Sequence, residues 1–319
     1  MNNQLTVSVI IPAYNSSSTI VRALNSVINQ TVAVDEIIVI DDGSKDNTCH
    51  IVETHYPFVT LIRQKNSGAA AARNTGAKSA KSELIAFLDS DDFWHIRKNE
   101  YQISIFSQYP NLGICSTKLE YFFEKNGVSN ELEAQRQIGP CCQKLILFED
   151  VFQRPFLATP SVMIKTSLFR KINGFNENLE TAEDVDLWIR STYVSEYRLI
   201  LNPLTFVVKQ TESLSSRAKI SPFESHLNVI DSFTKSKSFS LKFKYKILKK
   251  TQSFINCNWG SSLLSCGRFE ESLTKLLNSF LQYPNQRAAY LLSKAILKIF
   301  QKKVKCFLIK LSVKQNITL

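Results

Sequence analysis

Over the first ninety residues, buried-type apolar runs alternate with amphipathic stretches. Residues 6–13, TVSVIIPA, are β-branched and apolar and predict a buried strand. In residues 17–30, Ile20, Ala23, Leu24, Val27 and Ile28 recur at i, i+3, i+4, i+7 and i+8, which predicts an amphipathic helix. Residues 35–42 predict a second strand. Residues 44–56 predict a helix, with Ser, Asp and Asn near its start. A third strand (58–64), an Ala-rich helix (68–80) and a fourth strand (83–89) follow.

The order β-α-β-α-β-α-β predicts an α/β fold, with a mostly parallel, Rossmann-like sheet covered by helices on both faces. Ligands of such sheets bind at the carboxyl ends of the strands. Those ends are polar and acidic here: Pro12-Ala13-Tyr14-Asn15, Asp41-Asp42-Gly43-Ser44, Asn66-Ser67-Gly68 and Asp89-Ser90-Asp91-Asp92. The pattern is less regular over 95–215. It predicts a helix ended by Pro110, a strand over 112–123 and a polar loop. Next come a strand, short helix and turn over 158–179, a helix over 182–195, and two short strands around Pro203. From 219 the pattern is helical, with a helical hairpin broken at Gly267 and stopped by Pro284. The expected organisation is a domain over 1–218 and a basic helical extension over 219–319.

Charge sharpens that boundary. Residues 219–319 hold 18 Lys and Arg against 4 Asp and Glu, whereas residues 1–218 hold 21 against 24. The whole chain of 319 residues carries +11. A basic segment of this kind suits an anionic surface. In residues 288–312, Lys294, Lys298, Lys302 and Lys305 fall on one side of a helical wheel. Leu292, Ile296, Ile299, Phe300, Val304, Phe307 and Leu311 lie opposite, and Lys303 and Lys310 interrupt them. The two readings of this helix are an anionic membrane surface and packing back on the first domain. Nucleic acid is not expected, since no recognition motif accompanies the charge. The seven cysteines show no metal-ligand spacing, which fits reduced thiols in a cytoplasmic protein, peripheral on the membrane if the tail binds it. No run reaches the length of a transmembrane helix, and no signal peptide is visible.

The rim acids suit a nucleotide carrying a diphosphate. Asp41 or Asp42 could accept from a base N–H. Asp89 and Asp91, two apart, point the same way if the chain stays extended. They could then hold a Mg²⁺ or Mn²⁺ that phosphate oxygens share. Arg73 adds positive charge. A second cluster, Glu183-Asp184 and Asp186, opens a helix, where acids also serve the helix dipole. Asp184 is the best-placed candidate for a general base, with Glu183 as the fallback.

The segments VSVIIPAYN, EIIVIDDGSKDNT, NSGAAAARNTGA, LIAFLDSDDFW and AEDVDLWIR occur in that order. Together they resemble the family 2 glycosyltransferases, inverting enzymes of the GT-A (nucleotide-diphospho-sugar transferase) fold, over about residues 5–215. The resemblance implies attack by an acceptor hydroxyl on the anomeric carbon of a nucleotide-diphospho-sugar, and favours a UDP-sugar. It implies that Pro12, Ala13, Tyr14 and Asn15 pack on the nucleotide and that Asp42, beside Asp41, binds the uracil. Asn66, Gly68 and Arg73 would close over the nucleotide. Asp89 and Asp91 would form the DxD motif, with Asp91 as the main contact to a divalent cation (Mn or Mg), and Asp184 would be the base. Trp188 is expected to pack in the core beneath it. A carbohydrate or lipid-linked acceptor in polysaccharide, lipopolysaccharide or glycolipid synthesis follows from family habit and the basic tail.

One position departs from the pattern. Gln210 stands where such proteins often carry a His that helps bind metal or diphosphate, with Lys209 as a substitute of different strand parity. Two other readings remain: a catalytically degenerate nucleotide-sugar-binding protein and a sugar-nucleotide pyrophosphorylase-like enzyme. The PAYNSSS loop lacks the glycines and basic residues that the second needs.

Overall fold

The computed structural model describes residues 5–123, 134–153, 157–209, 221–235 and 241–315, with no side-chain description for 241–245 and 306–315. The chain divides into two compact units, one of residues 1–151 and 155–220, the other of 152–154 and 221–319.

The first unit is built on strands β1 (Val7–Ala13), β2 (Glu36–Asp41), β3 (Thr60–Arg63), β4 (Leu84–Phe87), β5 (Phe93–Trp94), β6 (Leu112–Phe123), β7 (Gln143–Ile146), β8 (Val162–Lys165) and β9 (Glu196–Lys209). Its helices are α1 (Ile20–Ile28), α2 (Thr48–His55), α3 (Ala69–Ser79), α4 (Lys98–Gln108), α5 (Phe148–Gln153, whose last two residues are counted with the second unit), α6 (Thr166–Lys171) and α7 (Glu183–Val194). The sheet runs β3-β2-β1-β4-β8-β6-β9-β5, and β7 pairs with β9. The parallel part is confined to β3-β2-β1-β4 and the β6–β9 pair; β8 joins β4 and β6 antiparallel. The first four strands therefore match the β-α alternation, and the irregular middle supplies the antiparallel half.

Side-chain alternation along β1 builds the two layers. Val7, Val9 and Ile11 face α1 through Ile20, Ala23, Leu24 and Val27, together with residues of α2 and α4. Ile10 faces the other layer with Ile38, Ile40, Phe87, Phe169 and Trp188, which holds α3, α6 and α7. Helix α3 lies very close to the sheet at Gly76, where a Cβ would come within 2.5 Å of Ile10 Cγ2. Its Ala-rich sequence follows from that approach.

One expectation needs correction, and two short strands were not foreseen. Residues 198–210 are not two short strands: β9 is continuous through Pro203. The missing proline N–H is absorbed by register shifts against β6 around Lys118, the residue paired with Pro203. Phe93–Trp94 forms a strand against Phe206 and Thr205, and Gln143–Ile146 pairs with β9; both are too short for a sequence period to declare them. Of the polar loop expected over 124–135, residues 124–133 lie outside the described residues.

The second unit consists of α8 (Pro222–Lys235), α9 (Leu241–Ser265), α10 (Phe269–Gln282) and α11 (Gln286–Gln315). Gly267, with φ +76°, breaks α9 from α10 as the sequence predicts. Cys257, Leu276, Ala288, Leu291 and Ala295 form its small core.

Candidate active site

The carboxyl ends of β1, β2 and β4 open on one rim, and the loops there are tied together by side chains. Asn15 adopts the left-handed region at φ 49°. Its Oδ1 accepts the Lys45 N–H at 2.8 Å, and its own N–H donates to Ser44 Oγ at 2.9 Å. Ser16 Oγ lies 2.8 Å from Ser90 Oγ, joining the Pro12–Asn15 loop to the acidic turn after β4. Tyr14, Asn15 and Asn66 are exposed, while Ala13 is buried and Pro12 is half-buried.

Asp41 and Asp42 are both buried. The Asp42 carboxylate accepts from Gln64 Nε2 and the Ser67 N–H through Oδ1 (2.8 and 2.9 Å), and from the Gly68 N–H through Oδ2 (2.8 Å). It thus shapes the 64–68 loop, in which Gly68 takes φ +90° at the start of α3. Asp41 meets the Ser44 N–H at 3.3 Å.

At the end of β4 the chain does not stay extended. Asp89 O accepts the Asp92 N–H at 3.1 Å, so residues 89–92 form a turn with Ser90 and Asp91 at its centre. The parity argument for Asp89 and Asp91 therefore fails, but the turn still crowds three carboxylates. Burial and then the charge of Asp89 push the Asp91 carboxyl up. Burial, Asp89 and Asp91 push Asp92 up further, while it accepts the Val208 N–H at 3.0 Å and so ties the turn to β9.

Arg73 is the central cation. It is buried, donates to Asp89 Oδ1 at 2.6 Å and to Glu183 Oε1 at 3.3 Å, and lies over the Phe175 ring at 5.4 Å. Burial opposes its charge, but Asp89, Glu183 and Asp184 hold its pKa above the ordinary value. Asp184 follows at the start of α7. Burial, then the Glu183 charge, raise its pKa to about 6, against the lowering effect of the Val185 N–H, 2.7 Å away, and of Arg73. Asp186 is used differently, pairing with Arg190 at 2.5 Å. Trp188 is fully buried with its ring edge against Phe175, as expected of a core residue.

The 110-residue separation between Arg73 and Glu183 is thus closed by an ion pair. Sequence reading did not find Arg22, whose guanidinium donates to the Asp91 carbonyl at 2.6 Å. It named Ser67 only as part of a polar strand end and gave no role to Gln64 or Asn74. Arg22 was detectable only as a cation on the polar face of α1, near the helix end at the rim. Lys209 stacks on Tyr121, 4.8 Å from the ring centroid, and Gln210 lies outside the described residues.

The sequence profile of Glycosyl transferase family 2 matches residues 8–172, more than half of the chain. The chain belongs to glycosyl transferase family 2. It is 35% identical over 189 residues to an uncharacterised glycosyltransferase of Rickettsia conorii, covering 59% of this chain and 30% of that protein. It is 46% identical over 101 residues to the Escherichia coli UDP-Glc:alpha-D-GlcNAc-diphosphoundecaprenol beta-1,3-glucosyltransferase WfgD, covering 31% of this chain and 40% of that one. The chain therefore spans about three tenths of the Rickettsia relative's length. The fold is similar to that of S. aureus TarS 1-349 in complex with UDP-GlcNAc, with TM-score 0.65 at 20% identity, covering 92% of this chain and 88% of that one. The expected family and GT-A fold are both borne out.

The family implies a divalent cation. The donors at the 89–92 turn are carboxylate oxygens, which suit a hard cation, and their mutual repulsion leaves negative charge to be offset. Asp89 already gives one oxygen to Arg73. Among the described residues no group of three or more His, Cys, Asp or Glu is arranged to hold a metal. Asp89 and Asp91 offer oxygen donors of the type such a cation takes.

Proposed function

We propose that this glycosyltransferase domain, within residues 1–218, transfers a sugar with inversion from a nucleotide-diphospho-sugar to an acceptor hydroxyl. The observation that carries the reading is the Arg73 bridge, which joins Asp89, at the diphosphate end of the rim, to Glu183, the neighbour of a carboxylate with pKa about 6. A base that is ionised at neutral pH yet still basic is what proton removal from a hydroxyl requires.

In the proposed step the acceptor oxygen forms a bond to the anomeric carbon. The bond from that carbon to the diphosphate oxygen breaks, and the leaving group departs with the electron pair. Asp184 takes the acceptor proton. Arg73 keeps Asp89 and Glu183 in place and offsets part of the charge at that end of the site. Asp42 fixes the loop carrying Asn66 and Gly68 over the nucleotide, and Asp41 lies beside it for the base. Pro12, Ala13, Tyr14 and Asn15 form the surface against which the nucleotide lies. A divalent cation held by Asp91 and Asp89, when bound, would stabilise charge on the departing diphosphate.

UDP is the favoured nucleotide. WfgD is named for UDP-Glc, and TarS is described in complex with UDP-GlcNAc; the shared fold and the two buried acids at the end of β2 support carrying the nucleotide over. A carbohydrate or lipid-linked hydroxyl is the proposed acceptor. Incubation with a panel of UDP-, GDP- and TDP-sugars and Mn²⁺, with lipid-linked and free saccharide acceptors, tests the reading. Release of UDP that depends on Asp184 supports it. Silence across the panel favours a degenerate binding protein.

A further inference from the structure

We propose that the outward face of α11 docks on an anionic lipid bilayer. The inference concerns the second unit alone and does not rest on the transferase reading.

One face of α11 is committed to packing: Ala288, Leu291 and Ala295 are buried in that unit's core with Leu276 and Cys257. At ~100° per residue, the opposite face carries Tyr290, Ile296, Leu297, Phe300 and Val304. These are exposed by 65, 56, 54, 64 and 40% respectively. The helix is therefore apolar on two sides and buried on one. The sequence wheel grouped Leu292 and Ile299 with Ile296, Phe300 and Val304 opposite the lysines, but these two are half-buried.

The rest of the surface is basic. Arg287, Lys294, Lys298 and Lys305 follow one edge of the apolar arc, Lys303 stands on the other, and Lys302 lies beyond the packed stretch in line with Leu291 and Ala295. Residues 286–305 contain no Asp or Glu. A helix in water turns polar residues outward, so five exposed large apolar side chains call for a partner. Nucleic acid would take the lysines and leave the apolar arc against phosphate. A second copy would bring two basic rows together, which like charge opposes. An anionic bilayer satisfies both features: the apolar arc enters the headgroup–acyl boundary, and the lysines at its edge meet the headgroups. The helix would lie in the interface plane.

The test uses the full chain in flotation with two vesicle types, phosphatidylcholine alone and phosphatidylcholine mixed with phosphatidylglycerol. The wild type is expected to float with the mixed vesicles and not with the neutral ones. The double variant Leu297→Glu/Phe300→Glu changes only exposed side chains, so its melting temperature should match the wild type. Its affinity for mixed vesicles should fall by about tenfold or more. Substituting Lys294, Lys298 and Lys302 by Gln should weaken binding and reduce its salt dependence. Equal binding to neutral vesicles would overturn the proposal, as would wild-type flotation of the double Glu variant. So would the absence of flotation, including the case where the chain sediments as a dimer that the Glu variant dissociates, which would assign the face to a second copy.

Discussion

Asn74 grips the backbone of Phe175 at both ends: its Oδ1 accepts the Phe175 N–H at 2.9 Å, and its Nδ2 donates to the Phe175 carbonyl at 2.9 Å. The same Nδ2 reaches Glu177 Oε1 at 2.7 Å. Arg190 holds this turn from α7, donating to the Ile172 and Gly174 carbonyls. The neighbours Arg73 and Asn74 on α3 therefore anchor both the first residue of α7 and the turn that leads into it. Asn74→Leu leaves two buried backbone groups unpaired and should cost about 3 kcal/mol in urea unfolding. Asn74→Asp sets a carboxylate against a carbonyl and Glu177, and should also destabilise. A stability matching the wild type in both variants would show that the grip is dispensable.

Arg73→Met should affect stability and activity together. It strands Asp89 and Glu183, each with less than a third of its side chain exposed, at a cost of about 3 kcal/mol. Losing the nearby cation should also move the Asp184 pKa above about 6. The acid limb of any pH–rate profile should shift to higher pH, and Arg73→Lys should restore part of that shift.

The crowded turn after β4 predicts an opposite sign for Asp91. Its carboxyl pKa is raised in the folded state by burial and Asp89, so the folded protein loses stability as pH rises through that value. Asp91→Asn should therefore melt higher than the wild type at pH 8 when no cation is present, with the advantage vanishing near pH 4. Mn²⁺ with UDP should raise the melting temperature of the wild type and not of the variant.

Lys98 carries a separate pH signature. It is fully buried, donates to Gln102 Oε1 at 2.7 Å, and lies 3.7 Å from the Trp94 ring centroid. Burial depresses its pKa to about 7. The unfolded chain holds this proton up to about pH 10.4, so stability should rise between about pH 7 and pH 10 and be lowest below 7. Lys98→Met removes that dependence. Its gain over the wild type should be larger at pH 6 than at pH 9.5, by on the order of 3 kcal/mol.

The first four strands were legible as apolar, β-branched runs, α1 from its apolar period, α2 from the polar residues near its start and α3 from its alanines. β6 over 112–123 was legible too, as was α7 from Val185, Trp188 and Ile189 on one face, of which Trp188 and Ile189 are buried and Val185 is half-buried. Pro203 misled because a proline inside a strand normally ends it, and only the bulge against β6 accommodates this one. The motif residues were readable because strand ends of a parallel sheet gather on one rim. The partners that organise them were not. Arg73 meets Glu183 across 110 positions and Asn74 meets Phe175 across 101, and no local pattern encodes such pairings. The condition that 89–92 stay extended fails for the same reason: Val208, far along the chain, helps hold Asp92.

The central claim is that Asp184 removes the acceptor proton, and the most direct test is turnover of a UDP-sugar by Asp184→Asn beside a wild-type pH profile. Once a donor and acceptor are found, wild-type kcat/KM should fall as pH drops below about 6, the Asp184 pKa. Asp184→Asn should lose ~10²–10⁴-fold in turnover and bind UDP as the wild type does. Wild-type turnover by Asp184→Asn would contradict the account.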